Sequence, residues 1–102
     1  MSRELKIATD FCKLVEVVDL YEYLGVARDA PVDEAKAALA KKRKYMQAMQ
    51  ANPKFKDSAR YLIKHYRTID RVLDEPAAHL QAMRQVREDE VMPMLVIALD
   101  GV

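Results

Sequence analysis

The sequence has few of the residues that cross-link a chain or loosen it. A single cysteine, Cys12, cannot form a disulfide within the molecule, and two glycines and four prolines in 102 residues are too few for a flexible or repetitive chain. The N-terminus lacks the apolar stretch that a secretory signal requires. We therefore predict one ordered domain from a reducing compartment, with the cytoplasm as the expected location.

An excess of charge and a long apolar run are also lacking. Lys plus Arg number 17 and Asp plus Glu number 16, so the net charge of +1 gives no overall attraction to nucleic acid, membranes or acidic substrates. The longest apolar run, residues 94–99, is far shorter than the roughly 20 residues that a membrane-spanning helix needs. We expect no membrane contact, and any electrostatic role must rest on a local patch.

Apolar residues recur at helical spacing over most of the chain, which predicts an all-α fold. Gly25 offers a left-handed stop to a short second helix that Asp19 can cap. Pro53 ends the third helix, because the residue before a proline disfavours helical geometry. The two longest helices should pack antiparallel. The predicted helices span about 3–18, 19–26, 32–50, 56–73 and 76–86.

The C-terminal segment, residues 87–102, has a different character. It begins with four consecutive charged residues, after which residues 94–99 read as a buried strand. A single strand has no partner in an all-helical chain, so this run either pairs with another molecule, extends a helix, or belongs to a longer protein. The predicted organisation is an accessory helix at 1–18, a helical domain at 19–86, and this segment.

Three separate segments resemble the J-domain family. Residues 19–26, Asp-Leu-Tyr-Glu-Tyr-Leu-Gly-Val, are similar to the family's opening D-x-Y-E-x-L-G-V, and residues 27–38 resemble the turn and start of its second helix. Residues 72–76, Val-Leu-Asp-Glu-Pro, are similar to the V-L-S-D-P between its third and fourth helices. The resemblance covers about residues 19–84. It implies an antiparallel helical hairpin with short flanking helices, to which this chain adds an N-terminal helix.

The resemblance breaks at one functional motif of the family. J-domains carry a His-Pro-Asp tripeptide in the loop after their second helix, and the resemblance places those positions on Gln47, Ala48 and Met49. The family uses the tripeptide to stimulate ATP hydrolysis by a DnaK-type chaperone, so the resemblance implies the scaffold without this activity. Because Ala48 stands in the place of the proline, the helix should run on toward Gln50.

Residues 41–44, Lys-Lys-Arg-Lys, form the most concentrated charge of one sign. Four consecutive residues point to every side of a helix, so most are exposed, while Lys42 should lay its stem over the core and lift its ammonium into water. The family's second helix uses a basic face to meet its chaperone, so the resemblance implies a docking role; an ordinary solvated face is the alternative. The predicted partner-binding residues are Lys36, Lys41, Arg43, Lys44 and Gln47.

No pattern in the sequence supports catalysis, a cofactor or a metal site. His65 and His79 have no further ligands at metal-binding spacing, and we expect both at the surface or its boundary. Cys12 lies in an apolar stripe and is interpreted as a small buried hydrophobe rather than as a nucleophile. We therefore expect a protein that is not an enzyme.

These patterns favour a non-catalytic protein–protein interaction module, an adaptor or assembly domain whose basic helix contacts a protein partner. One alternative is structural self-association, in which the N-terminal helix and residues 94–99 pack against a second copy to form a homodimer. A weaker alternative is a co-chaperone of a DnaK-type chaperone that acts without the tripeptide. Nucleic acid is disfavoured as a partner, because the charge is balanced and no aromatic residues interleave the cations.

Overall fold

The structure, a computed structural model, describes the backbone of residues 2–100 and the side chains of residues 2–89. Every regular element in this range is a helix, which confirms the all-α prediction. No helix in the described range is both long enough and apolar enough to cross a membrane. The helices are α1 (Arg3–Leu14), α2 (Leu20–Leu24), α3 (Val32–Met49), α4 (Lys56–Val72) and α5 (Pro76–Asp100).

Helices α3 and α4 form an antiparallel hairpin. Lys36, in the second turn of α3, lies against the far end of α4, where its Nζ is 3.4 Å from Asp70 and 2.7 Å from Asp74. Two turns further along α3, Arg43 lies over the ring of Tyr66 in the middle of α4. Later residues of α3 thus meet earlier residues of α4. Helix α1 packs along α4, α2 packs on α1 and α3, and α5 contacts α1.

Phe11 of α1 lies at the centre of the core. Its buried ring meets Tyr23 of α2 edge-on, with 5.0 Å between centroids, and stacks on Tyr61 of α4 at 6.1 Å. The Tyr61 hydroxyl donates a hydrogen bond to the Ile7 carbonyl at 3.2 Å, which ties α4 to α1. Helix α1 therefore shares one core with the hairpin. The buried residues around Phe11 include Ala8, Cys12, Leu20, Leu24, Leu39, Leu62 and Ile69.

Helix α1 ends four residues before the predicted end at Val18. The chain turns at Glu16, whose backbone is left-handed with φ of 59°. The Glu16 and Val17 amides donate to carbonyl oxygens in the last turn of α1, at 3.3 and 3.0 Å. This is the hydrogen-bond pattern of a Schellman cap, in which the left-handed residue is usually glycine. Apolar spacing continued past the cap and therefore predicted too long a helix.

Helix α2 is held at both ends, as predicted. The Glu22 amide donates to Oδ1 of Asp19 at 3.0 Å, and the Glu22 carboxylate accepts the Val18 amide N–H at 2.7 Å. Arg28 donates from its Nε to the other Asp19 oxygen at 2.8 Å. Gly25 ends the helix in a left-handed conformation with φ of 70°. The cap and the stop fix the turn from α1 into α3.

Helix α3 continues through the positions that correspond to the tripeptide of J-domains. Gln47, Ala48 and Met49 are all helical, and the helix ends at Met49, one residue before the predicted end. The continuation past residue 47 is therefore confirmed. Pro53 lies in the loop that follows, where its missing amide N–H and fixed φ cost no helical hydrogen bond.

The strand predicted at residues 94–99 is not formed. The backbone continues from Pro76 to Asp100 as α5, so the extension of a helix is the alternative that the structure adopts. A helix satisfies its backbone N–H and C=O groups within the segment, whereas a lone strand leaves them unpaired. The side-chain roles predicted for residues 94–99 lie outside the described residues.

Candidate protein-docking site

Four of the five predicted partner-binding residues line one shallow groove of about 450 Å³ on α3. All four are exposed, and Tyr66 contributes to the groove from α4. The predicted grouping therefore exists as a surface, except for Lys36. We term this surface the basic groove, and its lining residues are Ala40, Lys41, Arg43, Lys44, Gln47 and Tyr66.

The four consecutive cations of α3 have different surroundings. The Arg43 guanidinium lies 4.6 Å from the centroid of the Tyr66 ring, and Lys42 Nζ lies 4.9 Å from the centroid of Tyr23 on another side of the helix. Such cation–π contacts hold a charge in place without neutralising it. Lys41 and Lys44 form no ion pair with any described residue. The basic groove thus combines one fixed cation with two free ones.

Lys36, the fifth predicted partner-binding residue, does not line the basic groove and forms ion pairs within the fold. Asp74 and Asp70 both pair with its ammonium, and the hydrogen bond with Asp74 is the main reason that its pKa is raised. A lysine paired with two carboxylates has little charge left to attract a partner. We therefore assign Lys36 to the contact between α3 and α4.

A second and larger groove, of about 970 Å³, lies on the other side of Lys41, which lines both grooves. The end of α1, α2, α3 and the loop between α3 and α4 surround it, and we term it the apolar groove. Its apolar lining includes Leu14, Val26, Tyr45, Met46 and Phe55. This groove was not predictable from the sequence, because its walls come from segments that are far apart in the chain.

Charge is unevenly distributed along the chain around these grooves. Residues 35–56 contain seven Lys or Arg and no Asp or Glu, whereas the whole chain has a net charge of +1. Lys41, Lys42 and Lys54 line the apolar groove beside the later part of α3 and the loop that follows it. Glu16, which follows the end of α1, and Glu34, in the first turn of α3, also line it. A count of acidic residues along the sequence is the signal that would have found this site.

His79 is buried, which corrects the prediction that it lies at the surface or its boundary. Its side chain is 1% exposed, and its Nε2 accepts the Leu20 amide N–H at 3.0 Å. Burial lowers the pKa of His79 to about 4, and the Asp19 charge partly opposes this shift. The ring is thus neutral at pH 7 and caps the first residue of α2. His65 is half-buried at a kink in α4, as expected of a boundary residue.

Cys12 is fully buried, and burial, with smaller effects of Asp19 and Glu22, raises the pKa of its thiol to about 12. A thiol with this pKa keeps its proton at neutral pH and is a poor nucleophile there. No group of three or more His, Cys, Asp or Glu side chains within the described part of the chain is placed to hold a metal ion.

The two grooves present exposed cations, aromatic rings and apolar walls. Comparison of the chain with protein-family models, with curated proteins and with solved structures finds no match. The likeness to the J-domain family therefore rests on the three sequence segments alone.

Proposed function

We propose that this chain is a non-catalytic protein-binding module, a degenerate J-domain that acts as an adaptor or assembly domain. The basic groove docks against an acidic surface of a protein partner. The observation that carries this proposal is that Lys41 and Lys44 are exposed and form no ion pair within the described residues, while Arg43 is held beside them over Tyr66. Charges that the fold does not neutralise are available to a partner.

Such a charged surface contributes mainly to the rate and the specificity of association with a partner. Complementary charges raise the rate of encounter, and like charges reject partners of the wrong sign. The hydrocarbon stem of Arg43 and the ring of Tyr66 add apolar contact area at the centre of the groove. Arg and Tyr are enriched among the interface residues that contribute most to binding.

The resemblance to J-domains supports the scaffold, and the positions of the tripeptide argue against an active co-chaperone. Gln47, Ala48 and Met49 lack the imidazole, the proline turn and the carboxylate of the family's motif, and they continue a helix. We expect the chain to leave the ATP turnover of a DnaK-type chaperone unchanged in a steady-state assay. Stimulated turnover would favour the co-chaperone alternative instead.

The docking proposal is tested by charge reversal. The wild-type chain and the Lys41→Glu/Lys44→Glu variant are immobilised and exposed to an extract of the cell that makes the protein, and retained proteins are identified by mass spectrometry. The affinity of the retained partner is then measured by calorimetry at two salt concentrations. We expect at least a tenfold loss of affinity in the variant, equivalent to about 1.4 kcal/mol, and a weaker dependence on salt.

The matched control is Arg60→Glu/Lys64→Glu, which makes the same change in net charge at exposed positions of α4 that line neither groove. This control should bind as the wild type does. Equal losses in both variants would show that only net charge matters, and equal affinity in all three proteins would contradict the role of the basic groove.

A second candidate function is self-association. Leu14, Val18 and Tyr45 are large apolar side chains that are 44%, 41% and 47% exposed, and a second copy would cover them. Sedimentation equilibrium over a hundredfold concentration range tests this function. A mass that rises toward that of two chains supports it, and a constant mass of one chain contradicts it.

A further inference from the structure

The apolar groove collects exposed apolar surface in one concave place. Leu14 and Tyr45, two of the three large apolar side chains that are exposed among the described residues, both line it, whereas the third, Val18, does not. Single exposed apolar side chains are common on protein surfaces, whereas ligand sites are concave and mostly apolar and carry a few placed polar groups. Phe55, which is half-buried, and Met46, which is 3% exposed, also line the groove.

Cations are fixed along one part of the same groove. Lys42 Nζ lies 4.9 Å from the centroid of Tyr23, and Lys54 Nζ lies 5.6 Å from the centroid of Phe55. Neither these lysines nor Lys41 form an ion pair with a described residue. Lys42 and Lys54 are thus each placed beside an aromatic ring, where a ligand that packs on the ring brings a carboxylate close to the charge.

The size of the groove fits a short helical segment. A helix with a diameter of about 10 Å fills about 120 Å³ per residue, so about 970 Å³ accommodates about eight residues, or two turns. Recognition of an amphipathic helix in a groove uses apolar anchors spaced three or four residues apart, with polar groups outside the contact. An entirely apolar ligand, such as a lipid chain, would leave the charged rim of this groove without partners.

We infer that the apolar groove binds an amphipathic helix of a partner protein, whose apolar side chains pack on Leu14, Tyr45 and Phe55 and whose carboxylates lie beside Lys42 and Lys54. This inference rests on the proposed function, since Lys41 joins the two grooves into one surface. The cations that meet these carboxylates lie on α3 and in the loop that follows it.

The probe for this inference is a library of random 16-residue peptides displayed on phage, selected against the complete 102-residue chain. Enriched peptides are synthesised and their affinity is measured by fluorescence anisotropy. We expect sequences with apolar residues at helical spacing and Asp or Glu among the polar positions. No enrichment, or enrichment of basic sequences, would overturn the inference.

The binding site is located with matched variants. Leu14→Gln/Tyr45→Gln removes two apolar anchors that are already exposed, and Val18→Gln makes the same change at similar exposure outside the groove. Circular dichroism checks that each variant is folded. We expect the double variant to bind the selected peptides at least tenfold more weakly, and Val18→Gln to bind them as the wild type does. Equal binding by all three proteins would overturn the assignment of the groove.

The two proposals fail in different ways. The Lys44→Glu substitution alters the basic groove without touching the lining of the apolar groove. If peptide binding depends on Leu14 and Tyr45, the inference about the apolar groove is supported. If, in addition, Lys44→Glu leaves partner binding intact, that second result contradicts only the proposal about the basic groove. An effect of Lys44→Glu on partner binding, together with no selected peptide, overturns only the inference about the apolar groove.

Discussion

His79 connects α5 to the first residue of α2 through a neutral, buried ring. Its Nε2 accepts the Leu20 amide N–H at 3.0 Å, so the neutral ring carries its proton on Nδ1, which is buried without a hydrogen-bond partner among the described residues. Protonation of Nε2 would break this bond and place a cation at the positive end of a helix. Burial lowers the pKa of His79 to about 4, despite the opposing charge of Asp19.

The lowered pKa predicts a loss of stability in mild acid. Between pH 6.5 and 4 the unfolded chain binds a proton at His79 and the folded chain does not. The contribution of the neutral ring to the free energy of unfolding is therefore complete above pH 6.5 and falls as the pH drops through this window. One pKa unit is worth 1.36 kcal/mol, so the whole shift amounts to about 3 kcal/mol. About 2 kcal/mol of this is lost between about pH 7 and about pH 5.

Urea unfolding of the wild type and His79→Gln, at several pH values from neutral to mildly acidic, measures this loss. The glutamine side chain can place an amide oxygen near the position of Nε2 and does not titrate. We expect the free energy of unfolding of the wild type to fall by about 2 kcal/mol more than that of the variant between about pH 7 and about pH 5. His65, whose pKa burial also lowers, is present in both proteins, so its contribution cancels.

Two results would refute this reasoning. Parallel pH profiles, with a difference under about 0.5 kcal/mol, would mean that His79 does not control the acid sensitivity. An NMR titration of the ring protons of the wild type gives a second test that needs no variant. A pKa of His79 close to the ordinary value of 6.5 would show that the ring is not desolvated as the structure describes.

Three further substitutions test the caps and the core by urea unfolding at neutral pH. Glu16→Gly should stabilise the protein by about 1 kcal/mol, because glycine adopts the left-handed backbone without a steric penalty. Unchanged or lower stability would contradict the left-handed cap at the end of α1. Asp19→Ala should destabilise the protein by about 2 kcal/mol, because it removes both the α2 cap and the ion pair with Arg28. Asp19→Asn can keep the cap and should destabilise the protein less. Equal losses in the two variants would contradict the contribution of the cap. Leu39→Ala should cost about 2–5 kcal/mol, since Leu39 is fully buried, and a loss under about 1 kcal/mol would contradict its place in the core.

Features set by neighbouring residues were predictable from the sequence. Asp19 caps α2 and Gly25 ends it, because both roles depend on backbone groups only a few residues away. The end of α1 was not predictable in the same way. Its cap places a non-glycine residue, Glu16, in the left-handed conformation, and sequence gives no signal for a strained backbone that the surrounding fold imposes.

Features that depend on distant contacts were missed or misplaced. His79 is buried because it meets Leu20, 59 positions earlier in the chain, and neither residue alone indicates this contact. Lys36 resembles the other cations of α3 in sequence, yet antiparallel packing brings Asp70 and Asp74 to its ammonium. The cations of α3 were visible in the sequence, but only the packing of helices separates the free ones, Lys41 and Lys44, from the paired one, Lys36.

The two free cations of the basic groove do not contribute to the stability of the fold. Lys41 and Lys44 lie one turn apart on α3, and like charges at this spacing destabilise a helix by about 0.2–0.5 kcal/mol per pair. Both lie before the last turn of α3, where a cation would gain from the helix dipole, and neither has a carboxylate partner among the described residues. A residue that weakens the isolated fold is better explained by an interaction that the isolated chain does not contain. Docking of an acidic partner would turn the same repulsion into attraction, and this is the physical reason to look for function at the basic groove.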